Sequence, residues 1–448
     1  MAWDGNSVPF NYTSTATNAA TALFKINYYK RSENMYNSAN VTLGRAKKRF
    51  DFTGERRDVA TSLSFSGGVG SGSIPRANVG SYEKAYFTAK KVYAVCLVDR
   101  ESIKASMDSK GAFVKATRET VQKTVESYNR NTSRILFGSK GILGGRFHTD
   151  AGTNVVRTIN GVGGVWEYEI TFPVQTGLTV GGWKEANWEE RDFVQVVTGC
   201  TTGAVGTVDG SGGGFESTTA FFEVTAVDSS TRTVTISGPQ NSAQLDAGHA
   251  AGNIVDGDCI VMQGSYENDP IGIKEIVDTT SGTLYNITVQ RRWQSTQEDA
   301  SGAGITTDIM NKIMLDIEKK FGKAPNLIVS SYTQFRKILN LLEDQKQYTV
   351  EPRSKDLKGK ISFRGVEFMS SMGSVGIFPE RFVEDDRVYF LNDNHLEIHH
   401  RPDFGWFDDD GTVFLRTAND DTYEARYGGY WQTYIEPTPH GVIHSLAV

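Results

Sequence analysis

Alternating apolar and polar positions mark two long strands early in the chain. The alternation runs through RFDFTGERRDVATSLSFSG and returns in SYEKAYFTAKKVYAVCLV, with the glycine-rich run GGVGSGSIP between them. Alternation with a period of two is typical of half-buried strands, so the sequence predicts a two-stranded ribbon with a glycine tip. Because an isolated hairpin is marginal in water, we expect this ribbon to lie on another copy of the chain.

Helical periodicity follows the ribbon. Apolar and small side chains recur every three or four positions, at Phe113, Thr117, Val121, Val125, Tyr128, Thr132, Ile135 and Leu136. This spacing predicts a helix over residues 112–137, roughly 40 Å long at 1.5 Å per residue, that ends at a left-handed Gly138. A narrow apolar stripe on such a long helix needs a partner surface.

The pattern becomes β-rich and glycine-rich from Gly144 to about Ser265. Alternation in VWEYEIT, FVQVV and FFEVTAV predicts strands of a small inserted barrel or sandwich. Trp183 and Trp188 offer aromatic faces that suit sugar rings, although tryptophans more often pack in a core or a contact. A glycan-binding platform and a structural role therefore both remain open at this point.

An α/β lobe is predicted from about residue 301. Thr307 or Asp308 caps a first helix that Gly322 ends, and Ser330 or Ser331 opens a second helix after the strand NLIVS. Strands continue through ISFRGVEFM, RVYFL and HLEIH. The aromatic sequence after them predicts a chain end that is tied into the fold.

Composition limits the class of protein. The 448 residues are 38% hydrophobic and 22% charged, as in soluble globular proteins with two or three lobes. A net charge of -6 argues against a dedicated nucleic-acid binder, which needs a positive surface. The odd, scattered Cys96, Cys200 and Cys259 fit neither a disulfide scaffold nor a zinc site and favour a reducing compartment. Neither a signal peptide nor an apolar run long enough to span a bilayer is evident, so we expect a cytosolic product.

Candidate catalytic patterns are weak. His395, Glu397 and His399 alternate along one predicted strand and could chelate a metal, but a polar strand face is the simpler interpretation. The aspartate clusters at 408–410 and 420–421 lack the spacing of a calcium loop. No GxSxG or HExxH motif occurs. The sequence predicts no enzyme, no cofactor and no metal.

Basic residues are the candidate contacts. Eight lie between Lys30 and Arg57 against three acidic residues, either as a solvated strand face or as a docking face for an acidic patch on a neighbouring subunit. The glycines of the tip lack GxGxxG spacing and are expected to form a flexible loop rather than a phosphate cradle. The predicted assembly contacts are Arg56, Arg57, Gly68, Gly70, Gly72, Lys84, Lys90, Lys91, Arg118, Arg130 and Arg134.

The order of these pieces carries a resemblance. An arm, the ribbon FSGGVGSGSIP to YFTAKKVYAV, the stretch with VDRESI, GAFVKA and ILFG, a β insertion and a helix-strand-helix lobe follow one another. This succession resembles the major capsid proteins of tailed bacteriophages over almost the whole chain. The resemblance implies an α+β, Hong Kong 97-like capsid fold with an N-terminal arm, an extended β-hairpin loop, a long spine helix, an axial α/β domain and an inserted small β-barrel or sandwich.

The resemblance also implies a division of the chain. Residues 1–40 would be an N-terminal arm, 41–98 an extended loop, 99–143 a peripheral domain with the spine helix, and 144–265 an inserted β-domain. Residues 266–300 would be a further peripheral segment. The remaining parts would be an axial domain at 301–385 and return strands at 386–448.

By the same resemblance, the expected function is self-assembly into the icosahedral head shell around the DNA of a tailed phage. Hexamers and pentamers of this chain would form the shell, with portal, scaffolding and decoration proteins as further partners, weak contact to packaged DNA and no membrane. The protein would be located in the virion capsid after assembly in the bacterial cytoplasm. An encapsulin-like compartment and a β-rich adhesin that binds host glycans are the alternatives.

Overall fold

Strands and one long helix form the first part of the computed structural model. The structure describes residues 29–30, 37–38, 48–49, 55–62, 81–99, 110–146, 155–160, 165–172, 183–197, 221–238, 259–322, 324–343, 366–370, 373–407, 413–417 and 421–448. The first elements in chain order are β1 (Tyr29–Lys30), β2 (Asn37–Ser38), β3 (Lys48–Arg49), β4 (Glu55–Ser62), β5 (Ser81–Phe87), β6 (Lys90–Asp99) and α1 (Lys110–Leu136). β4 and β5 pair antiparallel, which confirms the predicted ribbon, while its glycine tip lies outside the described residues.

The long helix α1 follows the predicted stripe. Among its described side chains, those at Val121, Val125, Tyr128, Thr132 and Ile135 are buried, whereas the positions at 113 and 117 lie outside the described side chains. One strip of the helix therefore faces the interior, as the three-and-four spacing predicts.

The prediction that a left-handed Gly138 ends α1 is wrong. The φ angle of Gly138 is not positive, although its amide donates to the carbonyl of Ile135 at 3.1 Å. Instead, the Lys184 ammonium donates to the carbonyl of Phe137 at 3.0 Å. Gly272 also approaches so closely that a Cβ on it would lie 2.3 Å from the Gly138 carbonyl oxygen. The end of α1 is thus held by the buried Lys184 ammonium and the close approach of Gly272, and not by a left-handed turn.

A seven-stranded antiparallel sheet follows α1. Its order is β7-β13-β10-β11-β12-β9-β8, and a short 3-10 turn at Glu185–Asn187 precedes β10. The strands are β7 (Ile142–Arg146), β8 (Val155–Asn160), β9 (Val165–Thr171), β10 (Phe193–Val197), β11 (Phe222–Asp228), β12 (Thr233–Ser237) and β13 (Cys259–Met262).

The described strands do not form the second layer that a sandwich requires. The inner face of the seven-stranded sheet is covered by Phe172, Trp183 and Trp188, which belong to one core cluster with Val224 and Ile236. Aromatic side chains from the segment between β9 and β10 therefore cover this core where one of the two predicted alternatives, the sandwich, would have a second sheet.

The last third of the described chain alternates helices and strands. The elements, in order, are α2 (Ile273–Asp278), β14 (Thr283–Leu284), β15 (Ile287–Thr288), β16 (Thr296–Asp299), α3 (Thr307–Phe321), β17 (Leu327–Ser330), α4 (Tyr332–Glu343), β18 (Val366–Ser370), β19 (Gly373–Pro379), β20 (Val388–Leu391), β21 (Leu396–Trp406), β22 (Leu415–Arg416), β23 (Thr422–Ile435) and β24 (Gly441–His444).

The α/β lobe is built on a six-stranded sheet of order β16-β24-β20-β17-β19-β18. Gly322 ends α3 with a φ of 81°, as predicted, and the Ser331 hydroxyl accepts from the amide of Gln334 at the start of α4. The prediction that Thr307 or Asp308 caps α3 is wrong, because the Thr306 hydroxyl accepts from the Ile309 amide. Strands from before 301 and after 385 complete this sheet, so it extends beyond the predicted 301–385 segment.

A five-stranded sheet lies against α1 and is called the helix-backed sheet here. β23 is its centre, with β6 along one edge and β21 and β22 along the other, and β3 pairs in parallel with β21. Val121 of α1 packs against Cys96 and Val98 of β6. β6 therefore belongs to this sheet and not to the ribbon, so residues 41–98 are divided between two sheets.

Candidate assembly surface

The base of the ribbon is anchored in the core of its own chain. The centre of the Phe87 ring lies 5.3 Å from the centre of the Tyr434 ring and 5.0 Å from the centre of the His399 ring. Ala85 is fully buried. The Tyr86 amide donates to the Tyr285 carbonyl at 2.9 Å. This end of the ribbon is therefore not an isolated hairpin, because β5 places Ala85 and Phe87 in the core of its own chain.

Arg57 takes part in this anchoring. Its guanidinium forms an ion pair with Glu397 and lies 4.9 Å from the centre of the Tyr434 ring. Arg57 thus faces its own chain, and its contact with a neighbour stays a prediction.

The opposite side of the ribbon is exposed. Arg56 lies over the Tyr86 ring at 5.8 Å, Asp58 is paired in register with Lys84, and Tyr82 is 66% exposed. We call these five residues the outer face of the ribbon. Two of the predicted contacts, Arg56 and Lys84, lie on it, whereas Gly68, Gly70 and Gly72 lie outside the described residues.

Lys90 and Lys91 lie where the chain passes from the ribbon into β6. The Lys90 ammonium donates to the carbonyl of Glu267 at 3.0 Å, and the Lys91 ammonium lies 5.9 Å from the centre of the Tyr430 ring. Lys91 is exposed, so it stays available for a contact, while Lys90 already has a partner within the chain.

β6 continues with an apolar row that the sequence analysis did not single out. Tyr93, Val95 and Leu97 are 56%, 45% and 59% exposed, although the side chains between them pack inward. Leu415 of β22 is also exposed, and it pairs in register with Glu424, which pairs with Leu97. The alternation in KKVYAVCLV was the available signal, but it does not say which of its two apolar faces is covered.

The two arginines at the end of α1 are engaged within the chain. Arg130 forms ion pairs with Glu189 and, at 2.5 Å, with Asp192, both from the segment at the start of β10. Arg134 is buried and binds Asp269 at 3.2 Å. Both arginines hold α1 to neighbouring segments, and their role as assembly contacts stays a prediction. The Arg118 side chain lies outside the described set.

A buried cluster of charges joins α2 to the segment before β20. The Arg387 guanidinium binds Asp278 at 2.7 Å and Glu384 at 2.5 Å, and Glu384 also accepts from the Lys274 ammonium at 2.5 Å. Lys184, from the segment before β10, lies 3.6 Å from the same carboxylate. The cluster therefore ties the seven-stranded sheet to the rest of the chain.

Burial and mutual charge set the ionisation of this cluster. Burial lowers the pKa of Lys184 to about 8, although the negative charge of Glu384 acts to raise it. Burial would raise the pKa of Glu384, but Arg387, Lys184 and Lys274 outweigh it and hold that pKa below its usual range. The carboxylate is thus ionised and surrounded by cations, which is how a protein satisfies a buried charge.

The candidate metal ligands do not form one site. The Glu397 carboxylate contacts the Nε2 of the buried His399 ring at 3.0 Å and also binds Arg57, whereas the His395 ring lies on a short turn and binds Glu436 at 2.6 Å. Within the described ranges, no three His, Cys, Asp or Glu side chains are grouped as metal ligands would be.

The two tryptophans of the candidate glycan platform are buried. Trp183 and Trp188 stack with ring centres 6.1 Å apart and are only 7% and 6% exposed. A sugar ring would need an accessible aromatic face, so this arrangement overturns the glycan-platform interpretation at these two residues.

Cys96 and Cys259 are buried, and Cys200 is outside the described residues. In the part of the chain that the structure describes, no helix is both long enough and apolar enough to span a bilayer.

One solved phage structure shares this fold, and others are similar at lower TM-scores. The capsid asymmetric unit of Cyanophage A-1(L) is similar with a TM-score of 0.51 at 9% identity, and 91% of each chain is covered. A structure from Mycobacterium phage Adephagia gives 0.38 at 11% identity over 94% of this chain and 99% of that one. The capsid of a native GTA particle gives 0.41 at 7% identity over 93% and 95%.

The similarity to the cyanophage capsid unit defines the class: the chain has the phage-capsid fold, in the α+β form that the sequence predicts. In sequence, residues 261–404 match the family model described as SU10 major capsid protein. No curated protein matches the chain. The resemblance to the major capsid proteins of tailed phages is thereby confirmed, in fold over most of the chain and in sequence over its α2 to β21 part.

Proposed function

We propose that the chain is a major capsid protein that self-assembles into the icosahedral head shell of a tailed phage and encloses its double-stranded DNA. The match of residues 261–404 to a major capsid family carries this proposal. The capsid fold, found over nine-tenths of the chain, supports it independently. A mild net charge of -6 suits a shell that contacts packed DNA only weakly.

The role is structural and not enzymatic. A capsid subunit works through surfaces that bind its neighbours, and heterologous contacts of that kind close into rings and shells. Hexamers and pentamers of this chain are the proposed capsomers. Portal, scaffolding and decoration proteins are the proposed further partners, and the bacterial cytoplasm is the proposed place of assembly.

The predicted segments keep their proposed capsid roles, with 41–98 reaching towards a neighbour and 301–385 near a symmetry axis. Of the predicted contacts, Arg56, Lys84 and Lys91 have the exposure that a contact needs. Gly68, Gly70, Gly72 and Arg118 remain proposals on the sequence alone. Arg57, Lys90, Arg130 and Arg134 are better explained by their partners within the chain.

The test is electron microscopy of the full chain after expression in a bacterium, with a search for closed shells or capsomers. We expect particles or five- and six-fold capsomers. Discrete trimers or monomers that bind glycans would contradict the proposal and favour the adhesin alternative. Shells that carry a protein cargo and no DNA in infected cells would favour the encapsulin-like compartment.

A deletion of residues 67–73 tests the ribbon tip. We expect the deleted chain to keep its far-ultraviolet circular dichroism and its unfolding midpoint, because the sequence predicts a glycine-rich loop tip there and not a strand or helix of the core. It should form no shells. Normal particles from the deletion would show that the tip is not an assembly element.

A further inference from the structure

Exposed hydrogen-bond donors lie at one end of the outward face of the helix-backed sheet. Lys91 and Tyr93 of β6 are exposed, and Arg426 of β23, with 54% of its side chain exposed, pairs in register with Val95. We call Lys91, Tyr93 and Arg426 the donor row. Two of its three members carry a positive charge, in a chain whose net charge is -6.

Each cation of the donor row is oriented by a neighbour. The Lys91 ammonium lies 5.9 Å from the centre of the Tyr430 ring, and the Arg426 Nε binds Glu424 at 2.5 Å. Among the described residues, the terminal nitrogens of Arg426 form no further ion pair. A second anion can therefore bind them while Glu424 holds the side chain, so less side-chain entropy is lost on binding.

The spacing of the donor row suits a chain of phosphates. Side chains on one face of a strand repeat about every 7 Å, so three successive positions span about 14 Å. Each strand of B-DNA carries one phosphate per about 3.4 Å of helix axis, so this length faces about four phosphates. Lysine, arginine and tyrosine are all common donors to phosphate oxygens. The donor row therefore has the length and the chemistry to contact several phosphates of one strand.

The outward face of the seven-stranded sheet carries the opposite charge. Its acidic side chains on β9 and β11 are Glu167, Glu169, Glu223 and Asp228. On β9, β11 and β12, as the structure describes them, no lysine, arginine or histidine shares that face. A polyanion is repelled there and attracted to the donor row, so the charge distribution favours one side of the subunit.

We propose that Lys91, Tyr93 and Arg426 bind the phosphate backbone of double-stranded DNA. Two charged donors make this a weak contact that does not depend on base sequence. The contact ends before Leu97 and Leu415, which are apolar and lie beside Glu424.

This inference rests on the proposed function, because the duplex that the donor row would meet is the packaged genome. It assigns to DNA the contact that the exposure of Lys91 allows.

Duplex binding by the full chain before assembly tests the proposal. The affinity for a short duplex of random sequence is measured by fluorescence anisotropy at a series of salt concentrations. Each lost phosphate contact lowers the slope of log affinity against log salt by about 0.9, so Lys91→Gln with Arg426→Gln should flatten it by about 1.8. Lys319→Gln with Arg381→Gln is the matched control, since both residues are exposed and the same two charges are removed elsewhere. It should keep the slope of the unsubstituted chain.

Tyr93→Phe tests the neutral donor. It should weaken binding severalfold without a change in slope, because the hydroxyl carries no charge. Full affinity in this variant would overturn the role of Tyr93. Unfolding midpoints of all variants, which should match that of the unsubstituted chain, exclude a loss of fold.

The outcomes separate the two proposals. Shells from the unsubstituted chain without duplex binding before assembly would overturn the DNA contact and leave the capsid function intact. An equal change of slope in the variant and the control would also overturn it, because binding would then follow net charge alone. Duplex binding that depends on the donor row, without shells, would support the contact and contradict the capsid function.

Discussion

The seven-stranded sheet and the helix-backed sheet differ in what they present outward. On the seven-stranded sheet, outward positions such as Glu169 and Thr225 are polar and exposed and Phe193 is exposed, whereas Val197, Cys259 and Val261 are buried in a small apolar cluster of their own. On the helix-backed sheet, Tyr93 and Leu97 are more than half exposed. Both sheets pack an apolar cluster on their other face. The outward face of the first sheet is therefore polar or covered within the described chain, whereas the second sheet leaves an apolar row exposed.

The junction at which the buried charge cluster ties the seven-stranded sheet to the rest of the chain should respond most strongly to substitution. Arg387→Met leaves Asp278 and Glu384 buried without their guanidinium, and breaking a buried ion pair in this way costs about 3–5 kcal/mol. Urea unfolding should show this loss. Arg381→Met is the control, since Arg381 is exposed and should change stability by less than about 0.5 kcal/mol. Equal effects in the two variants would mean that the buried charges do not hold the junction.

Gly428→Ala tests how tightly β6 is held in the helix-backed sheet. A Cβ at Gly428 would lie 2.3 Å from the carbonyl oxygen of Val92, so β6 and β23 would have to separate. Crowding of this kind typically costs about 1–3 kcal/mol, measurable as a lower unfolding midpoint. Gly304→Ala should be tolerated, because nothing lies within 4 Å of its added Cβ. If Gly428→Ala were as stable as that control, β6 would be loosely held and its exposed row would not be a defined surface.

A pH series tests how the buried His440 side chain affects the free energy of unfolding. Burial lowers the pKa of His440 from 6.5 to about 3, and its Nδ1 accepts from the amide of Asn392 at 3.1 Å. Between these values the unfolded chain binds a proton that the folded chain does not, so the free energy of unfolding should rise with pH over that window. His440→Asn keeps an acceptor there and should flatten the slope, as measured by urea unfolding from pH 4 to pH 7. An unchanged slope would show that His440 is not its source.

The smallest effect on folding is expected at the exposed row itself. Leu97→Ser removes an apolar side chain that is 59% exposed, so the free energy of unfolding should change by less than about 0.5 kcal/mol. The same variant should lower the yield of shells or capsomers, because it weakens the contact between copies. A loss of stability above about 1 kcal/mol would mean that Leu97 supports its own chain, and the comparison of the two sheets would fail.

Local periodicity predicted much of this fold. The ribbon strands, the buried stripe of α1, the stop at Gly322 and the start of α4 at Ser331 all depend on neighbours in sequence, which the sequence displays directly. Long-range contacts were not predictable in the same way. The ammonium that caps the end of α1 comes from Lys184, and the closeness of Gly272 depends on a segment more than 130 residues further along.

The candidate surface was predicted only in part. Counting basic residues identified Arg56, Lys84 and Lys91 but could not tell them from Arg130 and Arg134, whose carboxylate partners come from distant segments. The same limit applies to β6. Its two faces are both apolar in sequence, and only the packing of α1 on Cys96 and Val98 decides which one stays outside.

The contact between Lys184 and the end of α1 matters for anyone who wishes to modify the particle. Residues 144–265 cannot be removed as an independent unit. The Lys184 ammonium, the Glu384 carboxylate and the Arg130 ion pairs join them to the rest of the chain. Deletion of residues 144–265 would remove the Lys184 ammonium from both the end of α1 and Glu384. Foreign peptides are better grafted between β10 and β11 or between β12 and β13, where the attachment is left whole.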